Sequence, residues 1–287
     1  MRLVHLSDFH FDGSAELRAA LDRLVDVAIA ADPDLVVVTG DLSAGGRPTE
    51  LDAVATALDR FGPIPRVVLP GNRDLVQSAG PPGEARTLPP DSDLDYFLAL
   101  EPALAVGFGF DEAADGEAGA PDLATAFERR FGPLEPTFAG QSLHVVTVNS
   151  TPRLRSASLE RAAGRIRRAQ AGAFRVLALH HGLLPVPGRK LRDGDLSHRA
   201  GDVLALLVDL EVDLALHGHI HRAHAWEIAA GNHRLVVSSA GALVNDGRRD
   251  ASFNEIVIEG GRLEVWRRSV ATGRSTLLYE GDRSPAR

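Results

Sequence analysis

The chain has no cysteine. Disulfides, thiolate metal sites and cysteine nucleophiles are excluded. Any metal must be held by His, Asp, Glu, Asn or water, a donor set that suits Mn, Fe, Zn or Ni. No apolar stretch reaches the length of a membrane span, and Met1 runs straight into Arg2 and a strand-like segment without the apolar core of a signal peptide. A cytoplasmic protein is expected. There is no repeat of fixed period, and no low-complexity tail beyond a few terminal residues. An excess of basic residues is also missing: 31 Lys and Arg against 39 Asp and Glu give a formal net charge of −8. That argues against a nucleic-acid partner, whose grip shows as a basic patch or stripe. The nearest basic cluster, Arg161, Arg165, Arg167 and Arg168, has helical spacing and is the pattern of a solvated helix face.

What is present is 287 residues, 44% of them hydrophobic, enough for two small domains or one large α/β domain. Leu3 to Ser7 forms a buried-strand pattern. Ser14 is placed to cap a helix over 15–30 whose apolar residues Leu17, Leu21, Leu24, Val25 and Ala28 share a face, and Pro33 ends it. The β-branched run 34–39 is a strand, 48–60 a second helix and 66–69 a third strand. Strand, helix, strand, helix, strand is the grammar of parallel βαβ units, whose ligands gather at the carboxyl ends of the strands. Residues 80–90 are loop-like, 94–100 helical, 111–122 acidic and loop-like, and 123–131 helical; together they suggest an insertion over about 80–140. Strands at 143–149 and 174–179, helices at 158–171 and 199–210, and a strand at 213–216 follow. From His224 onward only strand patterns joined by Gly-containing turns remain, which predicts an antiparallel section completing a second sheet.

Several apolar runs stop at metal-ligating residue types: Asp8-Phe9-His10, Gly40-Asp41, Gly71-Asn72-Arg73-Asp74, His180-His181 and His217-Gly218-His219-Ile220-His221. In an extended segment the side chains of Asp8 and His10 point to one face and can converge on one ion. A single such ending is ordinary, whereas five imply a site.

This ordered set resembles the calcineurin-like metallophosphoesterase superfamily, whose pattern is D-x-H, G-D, G-N-H-(D/E), H and G-H-x-H. The resemblance covers nearly the whole chain, from Met1 to the strands after His221. It implies an α/β fold, a four-layer αββα sandwich with two mixed β-sheets flanked by helices. Residues 1–280 then form a single domain with the insertion at about 80–140 and antiparallel strands over about 224–280. Carried over by position, Asp8, His10, Asp41 and His221 hold one divalent metal ion and Asp41, Asn72, His180 and His219 the other, with Asp41 bridging. The ions would be Mn, Fe, Zn or similar. The implied reaction is hydrolysis of a phosphoester by a water activated between the two ions.

Arg73 departs from the pattern, which has His there. Arg is always charged and grips phosphate bidentately, but cannot donate a proton at neutral pH. The leaving group must then need little protonation, or a nearby His or water supplies the proton. His181 is a candidate by adjacency alone, and strand alternation argues against it. A Gly-Asn-Arg-Asp motif also resembles the UDP-2,3-diacylglucosamine pyrophosphatases, whereas His180-His181-Gly182 is closer to cyclic-nucleotide-phosphodiesterase-like members. Asn72, Arg73 and Asp74 are the catalytic candidates, with Asp74 bracing its neighbours; Arg73, His217 and Asn149 are candidates for substrate contact. For His217 a buried structural role competes, and for Asn149 a turn-forming one. The expected activity is hydrolysis of a small-molecule phosphodiester, such as a cyclic nucleotide. The alternatives are a pyrophosphatase on a nucleotide- or lipid-linked substrate and a non-catalytic metal-binding scaffold.

Overall fold

A computed structural model describes residues 1–75, 123–243 and 250–283. The expected loop at 80–90, helix at 94–100 and acidic loop at 111–122 lie outside the described residues. Three parallel strands open the chain: β1 (Arg2–Leu6), β2 (Leu35–Thr39) and β3 (Arg66–Leu69), with helices α1 (Ala15–Ile29) and α2 (Pro48–Asp59) as crossovers. Both helices start on local signals. The Ser14 hydroxyl accepts from the Leu17 N–H at 3.3 Å. Pro48 opens α2, and the buried Glu50 carboxylate accepts from the N–H groups of Gly45 and Arg47.

The strands are apolar without interruption because both faces are covered. Val4, Leu6, Val36, Val38 and Val68 pack under α1 and α2, together with Leu21, Leu24, Leu51 and Leu58. The alternate residues Leu3, Leu35, Val37, Val67 and Leu69 meet Val145, Val176, Leu214 and Leu216 of a second sheet.

After the single turn α3 (Asn72–Leu75), the described chain resumes with α4 (Leu123–Phe131), β4 (Thr137–Ala139), β5 (Leu143–Thr147), α5 (Ser156–Ile166), β6 (Phe174–Ala178), α6 (Ala200–Asp209) and β7 (Leu214–His217). The last five strands are β8 (His224–Ala230), β9 (His233–Ser239), β10 (Ser252–Glu259), β11 (Arg262–Ser269) and β12 (Ser275–Asp282). Residues from Leu123 onward group with the N-terminal part in one unit. The second half of the expected insertion therefore supplies α4 and β4 to the body of the fold.

The sheet orders are β12-β11-β10-β1-β2-β3 and β4-β5-β6-β7-β9-β8. Both are mixed. The outer face of the second sheet is covered by α5 and α6, through Leu159, Ala162, Ile166, Val203 and Leu207. The result is the four-layer αββα sandwich. The C-terminal strands correct one expectation. Only β8 and β9 complete the second sheet, and β9 lies parallel to β7. Strands β10 to β12 return to the first sheet, where β10 pairs antiparallel with β1 in the register Leu3↔Ile256. The free edge of β1 needs a partner, and Ile256, Leu263 and Val265 fill the layer between the sheets.

Candidate metal centre

The carboxyl ends of β1, β2 and β3 in one sheet and of β6 and β7 in the other meet at a single place. The strands stop there through a repeated device. Asp8, His10, Asp41, His219 and His221 all have left-handed backbone, with φ of 57°, 45°, 52°, 66° and 55°. Such a conformation costs a non-glycine residue on the order of 1 kcal/mol or more and collects at functional sites. It also revises how Asp8 and His10 converge. Neither is extended; β1 ends at Leu6, and left-handed turns rather than strand alternation bring the two side chains together.

Two donor clusters result. The ligand atoms of Asp8, His10 and His221 lie within 4.8 Å of one another, and so do those of Asp41, His180 and His219. In the first, His221 Nε2 is 3.4 Å from Asp8 Oδ1 and 2.9 Å from His10 Nε2. In the second, His180 Nε2 is 3.4 Å from Asp41 Oδ1, 3.0 Å from Asn72 Oδ1 and 3.2 Å from His219 Nδ1. Asp41 reaches both, because its other oxygen, Oδ2, stands 3.7 Å from His10 Nε2.

Neighbouring groups orient these donors. His180 Nδ1 donates to the carbonyl of Thr39 at 2.7 Å, across the gap between the sheets, which leaves Nε2 as the candidate ligand atom facing Asp41 and Asn72. Asp8 accepts the His219 N–H at 3.1 and 2.9 Å, so the two sheets are tied at the site itself. Asp74 is fully buried and accepts from Gly71 N–H, Leu42 N–H, Ser43 N–H and the Ser43 hydroxyl at 2.8–3.2 Å. It clamps the segment after β2 to the turn after β3, and the Arg73 N–H in that turn donates to Asp41 Oδ1 at 2.8 Å. A Cβ on Gly71 would fall 2.2 Å from Asp41 Oδ1, and one on Gly218 would fall 1.8 Å from Ser7 Oγ. Backbone approaches the cluster here at a distance only glycine allows.

The electrostatics favour a cation. Burial works against charge on His180, but Asp41 and then Asp8 outweigh it and raise the ring to about 9. Burial likewise opposes ionisation of Asp41 and Asp8, and the surrounding histidines still hold both carboxyls below their ordinary value. Burial, with Asp41 beside it, pushes Asp74 up to about 6. A buried group of carboxylates and imidazoles that draws in positive charge, built wholly from oxygen and nitrogen donors, fits two divalent metal ions.

A model of the calcineurin-like phosphoesterases matches residues 1–223. The chain belongs to that family. Membership supports a metal-dependent phosphoester hydrolase with a binuclear centre, and the two donor clusters provide places for two ions. No curated protein sequence matches the chain. Solved structures show the same fold at low identity. A purple acid phosphatase, PPD1, from yellow lupin (Lupinus luteus) seeds is 16% identical with a TM-score of 0.63; the match covers 99% of this chain and 54% of that one, so the chain spans about half of that protein's length. A dimetal phosphatase from Danio rerio is 10% identical with a TM-score of 0.63, covering 97% and 99% of the two chains. GAP50, the anchor in the inner membrane complex of Plasmodium, is 13% identical with a TM-score of 0.55, covering 99% and 88%. No described helix is long and apolar enough to cross a membrane.

Other expected site residues are placed as follows. His217 is fully buried, bonds the Gly218 carbonyl through Nδ1 and stacks on Trp226, and burial pushes it down to about 4. Asn149 uses its side-chain oxygen to accept from the Thr151 N–H at 2.9 Å, a turn-forming contact. The alternation argument against His181 fails. β6 ends at Ala178, before His180, and the His181 ring stands 4.7 Å from that of His219 and 5.2 Å from that of His180. Ser150, at the end of the segment after β5, bonds His181 and went unnoticed in the sequence, as did the Thr39 carbonyl. Their only signal is position: Thr39 ends β2 and Ser150 lies shortly after β5, beside strand ends that carry the candidate donors.

Proposed function

We propose that the chain hydrolyses a phosphodiester of a small molecule, with Asp8, His10, Asp41 and His221 holding one divalent ion and Asp41, Asn72, His180 and His219 the other. The observation that carries this reading is the orientation of Asp41, one carboxylate oxygen toward each donor cluster. Two divalent ions supply, when bound, a water of lowered pKa and positive charge to offset the phosphate oxygens. The chain's own groups do the rest. Asn72 adds a neutral oxygen donor. Arg73, whose charge is felt at His10, binds phosphate oxygens without giving up a proton. Asp74 keeps the two segments in register.

Arg73 also favours a second reading, hydrolysis of a pyrophosphate in a nucleotide- or lipid-linked substrate such as UDP-2,3-diacylglucosamine, because a phosphate leaving group needs no proton donor. A non-catalytic scaffold is the weakest reading, since donors fill every ligand position. The test is an assay of metal-stripped protein with bis-p-nitrophenyl phosphate and p-nitrophenyl phosphate, with and without Mn, beside a panel of cyclic nucleotides and UDP-sugar pyrophosphates. Metal-dependent cleavage that favours the diester is expected. Two ions bound per chain with no cleavage of any substrate would favour the scaffold.

A further inference from the structure

His181 adjoins the centre but belongs to neither donor cluster. Its ring is half-buried, and one edge is fixed. The Ser150 hydroxyl is 2.8 Å from His181 Nδ1, and the same oxygen accepts the His181 backbone N–H at 3.2 Å. Ser150 is itself 3% exposed and has no other acceptor for its proton among the described residues. One proton assignment satisfies all three groups: the backbone N–H donates to Oγ, and the Ser150 O–H donates to Nδ1. A neutral imidazole that accepts at Nδ1 carries its proton on Nε2. That N–H lies on the ring edge away from Ser150 and has no hydrogen-bond partner among the described residues. The ring that carries it packs against His219 and His180, beside Asp41 and Asn72.

We propose that His181 touches the substrate, its Nε2–H donating a hydrogen bond to a phosphoryl oxygen held against the Asp41–His180–His219 cluster, with Ser150 as the positioning residue that fixes the tautomer. The inference rests on the phosphoester reading above. It gives the centre a neutral donor in addition to the charged Arg73, placed where negative charge is handled during hydrolysis. No proton is transferred from His181 in this role.

Two measurements test it. Two-bond 1H–15N correlation spectra of the metal-free protein, with His181→Phe used for assignment, should show His181 as the Nε2–H tautomer, and Ser150→Ala should mix in the Nδ1–H form. In Mn-loaded protein, His181→Phe should keep its metal content. It should lose roughly 10- to 100-fold in kcat/KM for bis-p-nitrophenyl phosphate, the worth of a hydrogen bond to a charged group. Its affinity for inorganic phosphate should fall in parallel, and His181→Gln, which retains an N–H, should recover part of both losses. The proposal is overturned by an Nδ1–H tautomer in the wild type, or by full activity and phosphate binding in His181→Phe. Loss of metal with unchanged phosphate affinity would also overturn it, because it would mean that His181 only packs against His219. If the wild type cleaves no phosphoester the hydrolase reading fails separately, and phosphate binding by wild type against His181→Phe still decides the contact.

Discussion

A carboxylate can serve two cations by turning one oxygen toward each donor set, and Asp41 is held that way. Its Oδ1 is fixed from one side by the Arg73 N–H and stands beside His180, while Oδ2 looks toward His10. The neighbouring Arg73 has a different task. Its backbone positions Asp41, and its guanidinium is a permanent charge beside His10. On the proposed reading, truncating the side chain removes the charge-assisted contacts with the phosphate, while the backbone contact with Asp41 stays in place. Arg73→Ala is expected to keep both metals, counted by elemental analysis, and to lose on the order of 10- to 100-fold in kcat/KM, as for a lost hydrogen bond to a charged group. Loss of metal in that variant would instead make Arg73 part of the framework of the centre. The candidate donors were legible in the sequence because D-x-H, G-D, G-N and G-H-x-H are contiguous words, and the fold brings them together in two clusters. The alternation argument against His181 does not apply, because alternation holds only inside a strand and β6 ends two residues before the first His of that pair.

At the scale of elements, the centre depends on loops that follow strands and are tied to one another. Asp74 is the main tie between the segment after β2 and the turn after β3. Asp74→Ala would leave three backbone N–H groups and the Ser43 hydroxyl without their acceptor. With each buried unpaired group costing about 1–3 kcal/mol, a loss of at least ~3 kcal/mol is expected. Urea unfolding of the metal-free protein measures it, and a loss under ~1 kcal/mol would show that water replaces the carboxylate. The elements themselves were readable: α1, α2 and the strands β1, β2 and β3 follow from capping residues, periodicity and β-branched runs. The sheet membership of β10 to β12 was not. An antiparallel strand pattern reports which residues alternate, and pairing partners are chosen by which apolar face fills which layer. Ile256 fits beside Leu3 in the layer between the sheets, and nothing local to residues 252–259 reveals it.

At the scale of the molecule, the layer between the sheets is apolar along most of its length and polar beneath the centre. His5 lies there, fully buried, its Nε2 2.9 Å from the Thr39 hydroxyl. Burial, and then the nearby His217, push its ring from 6.5 down to about 3. The sign of the effect follows. Below about pH 6.5 the unfolded chain takes up a proton that the fold refuses until about pH 3. The stability contributed by neutral His5 is therefore complete above pH 6.5 and is lost as the pH falls toward 3, at about 1.4 kcal/mol per pH unit for one proton. Urea midpoints of the metal-free protein at pH 7.5, 6.0 and 5.0 should fall in that order, and less steeply in His5→Gln. An equal slope in the variant would remove His5 from the acid sensitivity.

The same two-sheet arrangement places the Asp41 carboxylate between donors drawn from both sheets, and the proposal that it bridges two ions is the one most open to direct test. Metal counting on wild-type and Asp41→Asn protein, each stripped and reloaded with Mn, is the measurement. Two ions per wild-type chain are expected, with weakened binding at both sites and no detectable phosphodiesterase activity in Asp41→Asn. Two ions and full activity in Asp41→Asn would contradict the bridging role and the centre built around it.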